Sequence, residues 1–406
     1  MNQAVPARHP DGPRPVPPAI RLLALVLGLR GPNAEEMRRL GERLTVGDEP
    51  MDRLVEWMSA AGMEQTRPLF ERALLDGIAN VPDAPEPLRD FFVEVETVPD
   101  WVDWDLVRRG QKALRSGGAD GMYVARDVSL LGGYQFAAFN QTLLRTGALE
   151  KGSNKRFAET MQWAMDVISK DGLAPLGVGY RSTLRVRFIH ALVRRHVATM
   201  PDWRADLWGL PINQTDMAAT LVGALIAPPV GGIGMGILLT PREFDAIAHV
   251  TRYAGWLMGV HEEWLPQSFR DGVRILYHTL SAISTPDETT KQLAVPMAAD
   301  PLSWNYECLP SLRRRLAWAQ HLSVTSGFLG RGGMATLGLP TYIPPVYPLL
   351  RFPFNVTRSL VALSLPGGRS RAAVRGEREH KALMQTMIGD SGATVGEAAT
   401  HVDGVA

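Results

Sequence analysis

Between about residues 35 and 385, apolar positions recur mostly at three- and four-residue intervals, the repeat that lays a stripe along one side of a helix. Alternating apolar and polar runs bounded by turn residues, which would mark strands, are scarce. The pattern predicts an all-α chain. Val186, Ile189, Val193 and Val197 give the stripe of one helix, expected to begin after Gly177-Val178-Gly179. Similar spacing predicts helices over Met51 to Gly62, Asp103 to Ser116 and Phe244 to Val260. Breaks are expected at Pro82-Asp83-Ala84-Pro85, Gly117-Gly118, Lys151-Gly152-Ser153-Asn154, Pro228-Pro229-Val230-Gly231-Gly232 and Pro344-Pro345. None is a long linker and no repeat of fixed period occurs. A single large helical domain over residues 19–388, globin-like in packing style, is expected.

The ends read differently. Residues 1–18 hold His9-Pro10, Asp11-Gly12-Pro13 and Pro15-Val16-Pro17-Pro18, a composition that favours a disordered, solvated tail. Residues 389–406 are expected to form a second loose tail. The apolar run from Ile20 to Leu29 is about half the roughly twenty residues a membrane span needs, so no transmembrane segment is expected there. It reads as a helix docked on the domain. The rival reading, a membrane-surface anchor, leaves peripheral membrane contact open. No export signal follows the pattern of a basic start and an early apolar stretch, and a cytoplasmic protein is the expectation.

Composition narrows the chemistry. Of 406 residues, 45% are hydrophobic, enough for a large core and too many for a disordered chain. Lys and Arg number 43 against 42 Asp and Glu, so the basic surplus that a nucleic-acid binder needs is missing. Cys308 is the single cysteine, which closes off disulfides, cysteine zinc cages and two-thiol haem attachment.

Several motifs fail on inspection. Around Gly231-Gly232-Ile233-Gly234-Met235-Gly236-Ile237 the third glycine of a dinucleotide loop is missing and no strand precedes it, so a helix-to-helix loop is expected. His261-Glu262-Glu263-Trp264-Leu265 has Leu265 where a zinc-protease helix requires histidine. Neither a Gly-x-Ser-x-Gly elbow nor a phosphate loop is present. His190 and His196, six apart, do not share a helix face. His190 does lie on the apolar stripe, with Arg187, Arg194 and Arg195 on neighbouring faces. It reads two ways: a core histidine bonded to a carbonyl, or an imidazole that reaches a haem whose propionates meet Arg187 and Arg194.

The order of six stretches resembles the family of latex-clearing proteins (rubber oxygenases) and mycophenolate-pathway oxygenases, helical b-type haem enzymes. They are Val98-Pro99-Asp100-Trp101-Val102-Asp103-Trp104, Leu131-Gly132-Gly133-Tyr134, Arg156-Phe157-Ala158-Glu159-Thr160, Val186 to Arg194 around His190, Gly209-Leu210-Pro211-Ile212-Asn213-Gln214, and Arg252 to Val260. The resemblance covers about residues 45–365. It implies haem b, with His190 as axial ligand and Arg156 and Thr160 on the distal side, where a guanidinium and a hydroxyl can stabilise charge on oxygen.

Two departures qualify what the resemblance implies. Glu159 stands where rubber-cleaving members place a lysine on iron, and Asn140 falls near the position of their acidic residue. Asparagine cannot act as a base at neutral pH. The expectation is therefore an oxygenase that uses dioxygen to oxidise or cleave a C=C bond of a hydrophobic small molecule, isoprenoid or lipid-like, rather than rubber. Its rivals are a peroxide-using haem enzyme and a haem or lipid binding or sensor protein without turnover.

Overall fold

The computed structural model describes residues 4–147, 152–282 and 285–389. Among the described residues twenty α-helices follow one another: α1 (Pro18–Val26), α2 (Ala34–Glu42), α3 (Glu49–Ala61), α4 (Met63–Asp76), α5 (Glu86–Glu96), α6 (Trp104–Ser116), α7 (Gly118–Val124), α8 (Leu131–Gly133), α9 (Ala137–Arg145) and α10 (Ser153–Ile168). Then come α11 (Val178–Ala198), α12 (Ala205–Trp208), α13 (Gln214–Leu225), α14 (Ala227–Gly234), α15 (Pro241–Leu257), α16 (Phe269–Ala282), α17 (Glu288–Ala299), α18 (Pro310–Thr336), α19 (Val346–Ser364) and α20 (Gly368–Ile388). No strand occurs among the described residues. A π-helical turn, Ala125–Leu130, joins α7 to α8.

Local chemistry sets many boundaries. Asp103 Oδ1 accepts from the backbone N–H groups of Asp105 and Leu106 and so starts α6, satisfying donors that a helix leaves orphaned. Thr240 and Glu243 close a capping box at α15, with Pro241 in the first turn where no N–H is needed. The expected helices over residues 51–62, 103–116 and 244–260 appear as α3, α6 and α15, each shifted by a few residues. α6 and α15 pack closely because Gly110 has no Cβ, which would collide with the carbonyl of Ala246.

Two large apolar cores result, with a small third cluster of Val124, Met235 and Ile237. The first joins α3, α4, α5, α11, α13, α15 and α16, and holds Phe70, Phe92, Phe188, Leu221 and Tyr253. The second joins α7 to α10 with α17, α18 and α20, and holds Met122, Phe157, Met297, Trp304 and Leu322. α10 belongs to both: Trp163 and Val167 enter the first core, Phe157 and Met161 the second. It is therefore held rigidly from two sides.

Two expectations need correction. Residues 4–17 do not form a solvated tail: Ala7 and Arg8 donate backbone bonds to Asp206 and Leu207, and Arg8 pairs with Asp216 at 2.7 Å. Proline-rich sequence pays little entropy to be ordered, so a few such anchors suffice. The expected second tail, beyond Gly389, lies outside the described residues. The stretch at Pro228-Pro229 is not a loop but the first turn of α14, where prolines are tolerated for lack of a required donor. Together, α13 and α14 make one stretch, Gln214–Gly234, long and apolar enough to cross a membrane by length and composition, and 44% of its apolar window is buried. Met217, Leu221 and Leu225 of that stretch are core residues.

Candidate active site between two helices

α10 and α11 form an antiparallel hairpin across the turn at residues 169–177. Gly179 sets how closely they approach, since a Cβ there would lie 2.6 Å from the carbonyl oxygen of Asp166. One turn on, Trp163 Nε1 donates to Thr183 Oγ1 at 3.1 Å. Both helices rise about 1.5 Å per residue. Seven residues back from Trp163 is Arg156 and seven forward from Thr183 is His190, so the register brings these two to one level of the hairpin. It brings Thr160 to the level of Val186.

His190 lies deep in the fold, and burial, reinforced by the Arg194 charge and opposed by Asp48, lowers its pKa to about 4. The ring is neutral at physiological pH, the form that ligates a metal. Its Nδ1 is buried without a hydrogen-bond partner. Yet the residue retains some accessible surface, as do Val186 and Ile189 beside it. The residue is thus buried deeply without being fully enclosed by packed side chains.

Other deep histidines are satisfied differently. His380 Nε2 meets the carbonyl of Gly118 at 3.1 Å, His278 Nε2 meets that of Arg30 at 3.2 Å, and His321 Nδ1 meets Asp127 at 2.5 Å. The bland reading of His190, a core histidine on a carbonyl, does not describe its surroundings. No group of three or more His, Cys, Asp or Glu side chains suited to a metal ion occurs among the described residues. A single imidazole is what iron in a porphyrin requires from the protein.

Across the hairpin, Arg156 Nη1 reaches the carbonyl of Leu143 only at 3.5 Å, and burial lowers the arginine's pKa, with Tyr134 and Glu159 opposing. Arg156 is thus a weakly engaged cation. Thr160 sits one turn further, exposed, its Oγ1 donating to the carbonyl of Arg156 at 3.1 Å. Asn140 is fully buried and donates Nδ2 to the carbonyl of Tyr134 at 2.7 Å, while its Oδ1 has no partner. The sequence did not single out Tyr134 for a role; burial raises its pKa and Arg156 opposes that. Its only sequence signal was membership of the Leu131-Gly132-Gly133-Tyr134 stretch.

Arg187 and Arg194, expected to meet propionates, are committed elsewhere. Arg187 forms a two-pronged pair with Asp48, at 2.7 and 2.8 Å, and donates to the carbonyl of Leu257. Arg194 pairs with Asp52 at 2.5 Å and donates to the carbonyl of Ile212. Both guanidinium groups anchor α11 to α3, and freeing Arg187 would leave the buried Asp48 carboxylate uncompensated. A separate cavity of about 80 Å³ lies on the other side of α10, lined by Ala113, Met122, Met161, Pro229 and His380. His190 does not line that space.

The helical frame thus sets His190, with an unpartnered Nδ1, and the weakly held Arg156 at one level of the α10–α11 hairpin. The sequence model of the family described as ER-bound oxygenase mpaB/B'/Rubber oxygenase, catalytic domain, matches residues 121–363, and the chain belongs to this family. A rubber oxygenase of Streptomyces sp. (strain K30) is 23% identical over 189 residues, which is 46% of each chain. This chain thus spans about half the length of that curated relative. A solved structure of latex clearing protein in the closed state shares the fold, with a TM-score of 0.65 at 18% identity, covering 84% of this chain and 91% of the other.

Proposed function

We propose that this chain is a cytoplasmic, haem-b-dependent oxygenase that uses dioxygen to oxidise or cleave a C=C bond of a hydrophobic, isoprenoid- or lipid-like small molecule. The observation that carries the reading is His190, a neutral, deeply placed imidazole that keeps some accessible surface and whose buried Nδ1 has no partner. When bound, haem b supplies the activation of dioxygen. His190 holds that group from α11, and Val186 and Ile189 give the same wall an apolar surface that excludes water. Arg156, at the same level of the hairpin, is the cation that would stabilise negative charge on oxygen. Thr160, its proton spent on the Arg156 carbonyl, offers lone pairs to a water or substrate hydroxyl.

Polymeric rubber is not the proposed substrate. Asn140 stands near the position at which rubber-cleaving relatives are thought to hold an acid, and its amide is tied to the Tyr134 carbonyl. It can take no proton at neutral pH. The same observation favours one second reading, a haem or lipid sensor without turnover. Incubation with an apolar alkene under ¹⁸O-labelled dioxygen separates the readings: label in the product supports the oxygenase, product formed only with added peroxide supports a peroxide-using enzyme, and saturable binding with no product supports the sensor.

A further inference from the structure

Helix α19 is built the wrong way round for water. Its inward side carries the polar groups: Tyr347, Arg351 and Asn355 all converge on the buried carboxylate of Asp120, at 2.7, 2.7 and 2.8 Å. Ser359 accepts from the backbone N–H of Leu238, and Arg358 pairs with Glu379. Its outward side is apolar at helical spacing: Val346, Leu349, Leu350, Phe354, Leu360 and Val361. Leu349 and Leu350 are 68% and 69% exposed, and Phe354, Leu360 and Val361 about half exposed. Neither of the helix's two arginines points outward unpaired, and it contains no acidic residue. A helix in contact with water alone shows the opposite arrangement.

Charge around this face identifies what covers it. From Cys308 to Gly376 the chain contains nine arginines and not one Asp or Glu, although the whole chain carries only +1. Arg371 and Arg375 lie on α20, which packs along α19, and both are exposed. Arg371 meets only the carbonyl of Pro366, whereas Arg375 has Glu379 at 3.6 Å. An apolar strip bordered by an exposed arginine without a carboxylate complements a surface that is apolar inside and negative outside. A second copy of the same face offers Arg371 no unpaired carboxylate from α20, since Glu379 is held by Arg358 and Arg375 and Glu377 by Lys381.

We propose that the outward face of α19 docks on the surface of an anionic phospholipid bilayer, its leucines and Phe354 entering the acyl boundary and the neighbouring arginines meeting lipid phosphates. This is independent of haem and of turnover, because the contact uses no residue of the α10–α11 hairpin. It also moves the expected membrane contact from residues 20–29 to α19: α1 exposes Leu22, Leu25 and Val26 but packs Ile20 and Leu23 into the first core.

Sedimentation of the full chain with phosphatidylcholine vesicles, with and without phosphatidylglycerol, tests it. Binding is expected to the anionic vesicles, weaker as salt is raised, and reduced about tenfold in a Leu350→Gln, Leu360→Gln variant. Both positions are exposed, so the variant should keep its helical circular dichroism and melting temperature. Three results would overturn the proposal: no vesicle binding; a dimer in velocity sedimentation that the same substitutions dissociate; or binding that appears only after residues 390–406 are removed, which would assign the face to that segment.

Discussion

His190 on α11 and His321 on α18 are the same residue type at similar depth, and burial lowers both pKa values. Their surroundings differ completely. His321 has Asp127 at 2.5 Å, with the Tyr123 and Trp304 rings set edge-on at 4.7 and 4.9 Å. Asp127 is held in turn by Arg126, which reaches Asp300. His190 has no such shell: no hydrogen bond holds its ring among the described residues, and the residue keeps some accessible surface. Each ring leaves one buried nitrogen unpaired, Nδ1 of His190 and Nε2 of His321, so the difference lies in the carboxylate and aromatic rings that fix His321 and have no counterpart at His190.

The largest test of this contrast is Asp127→Ala. It strips His321 of its carboxylate and leaves the buried Arg126 with only Asp300, so chemical denaturation should show a loss of about 3–5 kcal/mol. A loss under 1 kcal/mol would mean the His321 cluster is not structural. Acid comes next. Histidines whose folded pKa lies below the ordinary 6.5 take up protons more readily when unfolded, so stability holds above pH 6.5 and falls as pH drops toward 4. His190 and His380, both lowered to about 4, should each contribute up to about 3 kcal/mol of that fall. A flat stability between pH 6.5 and 4 would contradict their depth.

Gly179→Ala should push α10 and α11 apart at the point that fixes their register, at a cost of about 1–3 kcal/mol by thermal melting. The smallest effect is expected where the sequence would least suggest it. His190→Ala in haem-free protein should cost about 1 kcal/mol or less, since its Nδ1 makes no hydrogen bond and the residue is not fully enclosed. If that substitution destabilises the chain as much as Asp127→Ala, the two histidines are alike and the contrast fails.

Helix positions were legible from apolar spacing because burial and period agree in α3, α6, α11 and α15. The same spacing misleads in α19. Its apolar stripe reads as core, and only Asp120, more than two hundred residues earlier, shows that the polar side is the buried one. Arg187 and Arg194 were misread for a related reason: their partners Asp48 and Asp52 lie 139 and 142 residues upstream, and no local pattern encodes that pairing. His190 was visible on an apolar stripe, whereas Arg156 and Thr160 came only from the resemblance to a known family. Which buried ring nitrogens among the described residues lack a partner is a tertiary fact that spacing cannot carry.

The most direct test of the central claim is the visible spectrum of the protein as purified, beside His190→Gly with and without added imidazole. The account predicts an intense Soret band in the parent, its loss or shift in the variant, and its recovery when free imidazole enters the space left by the side chain. A Soret band indifferent to the substitution, or none in the parent after haem is supplied, would contradict it.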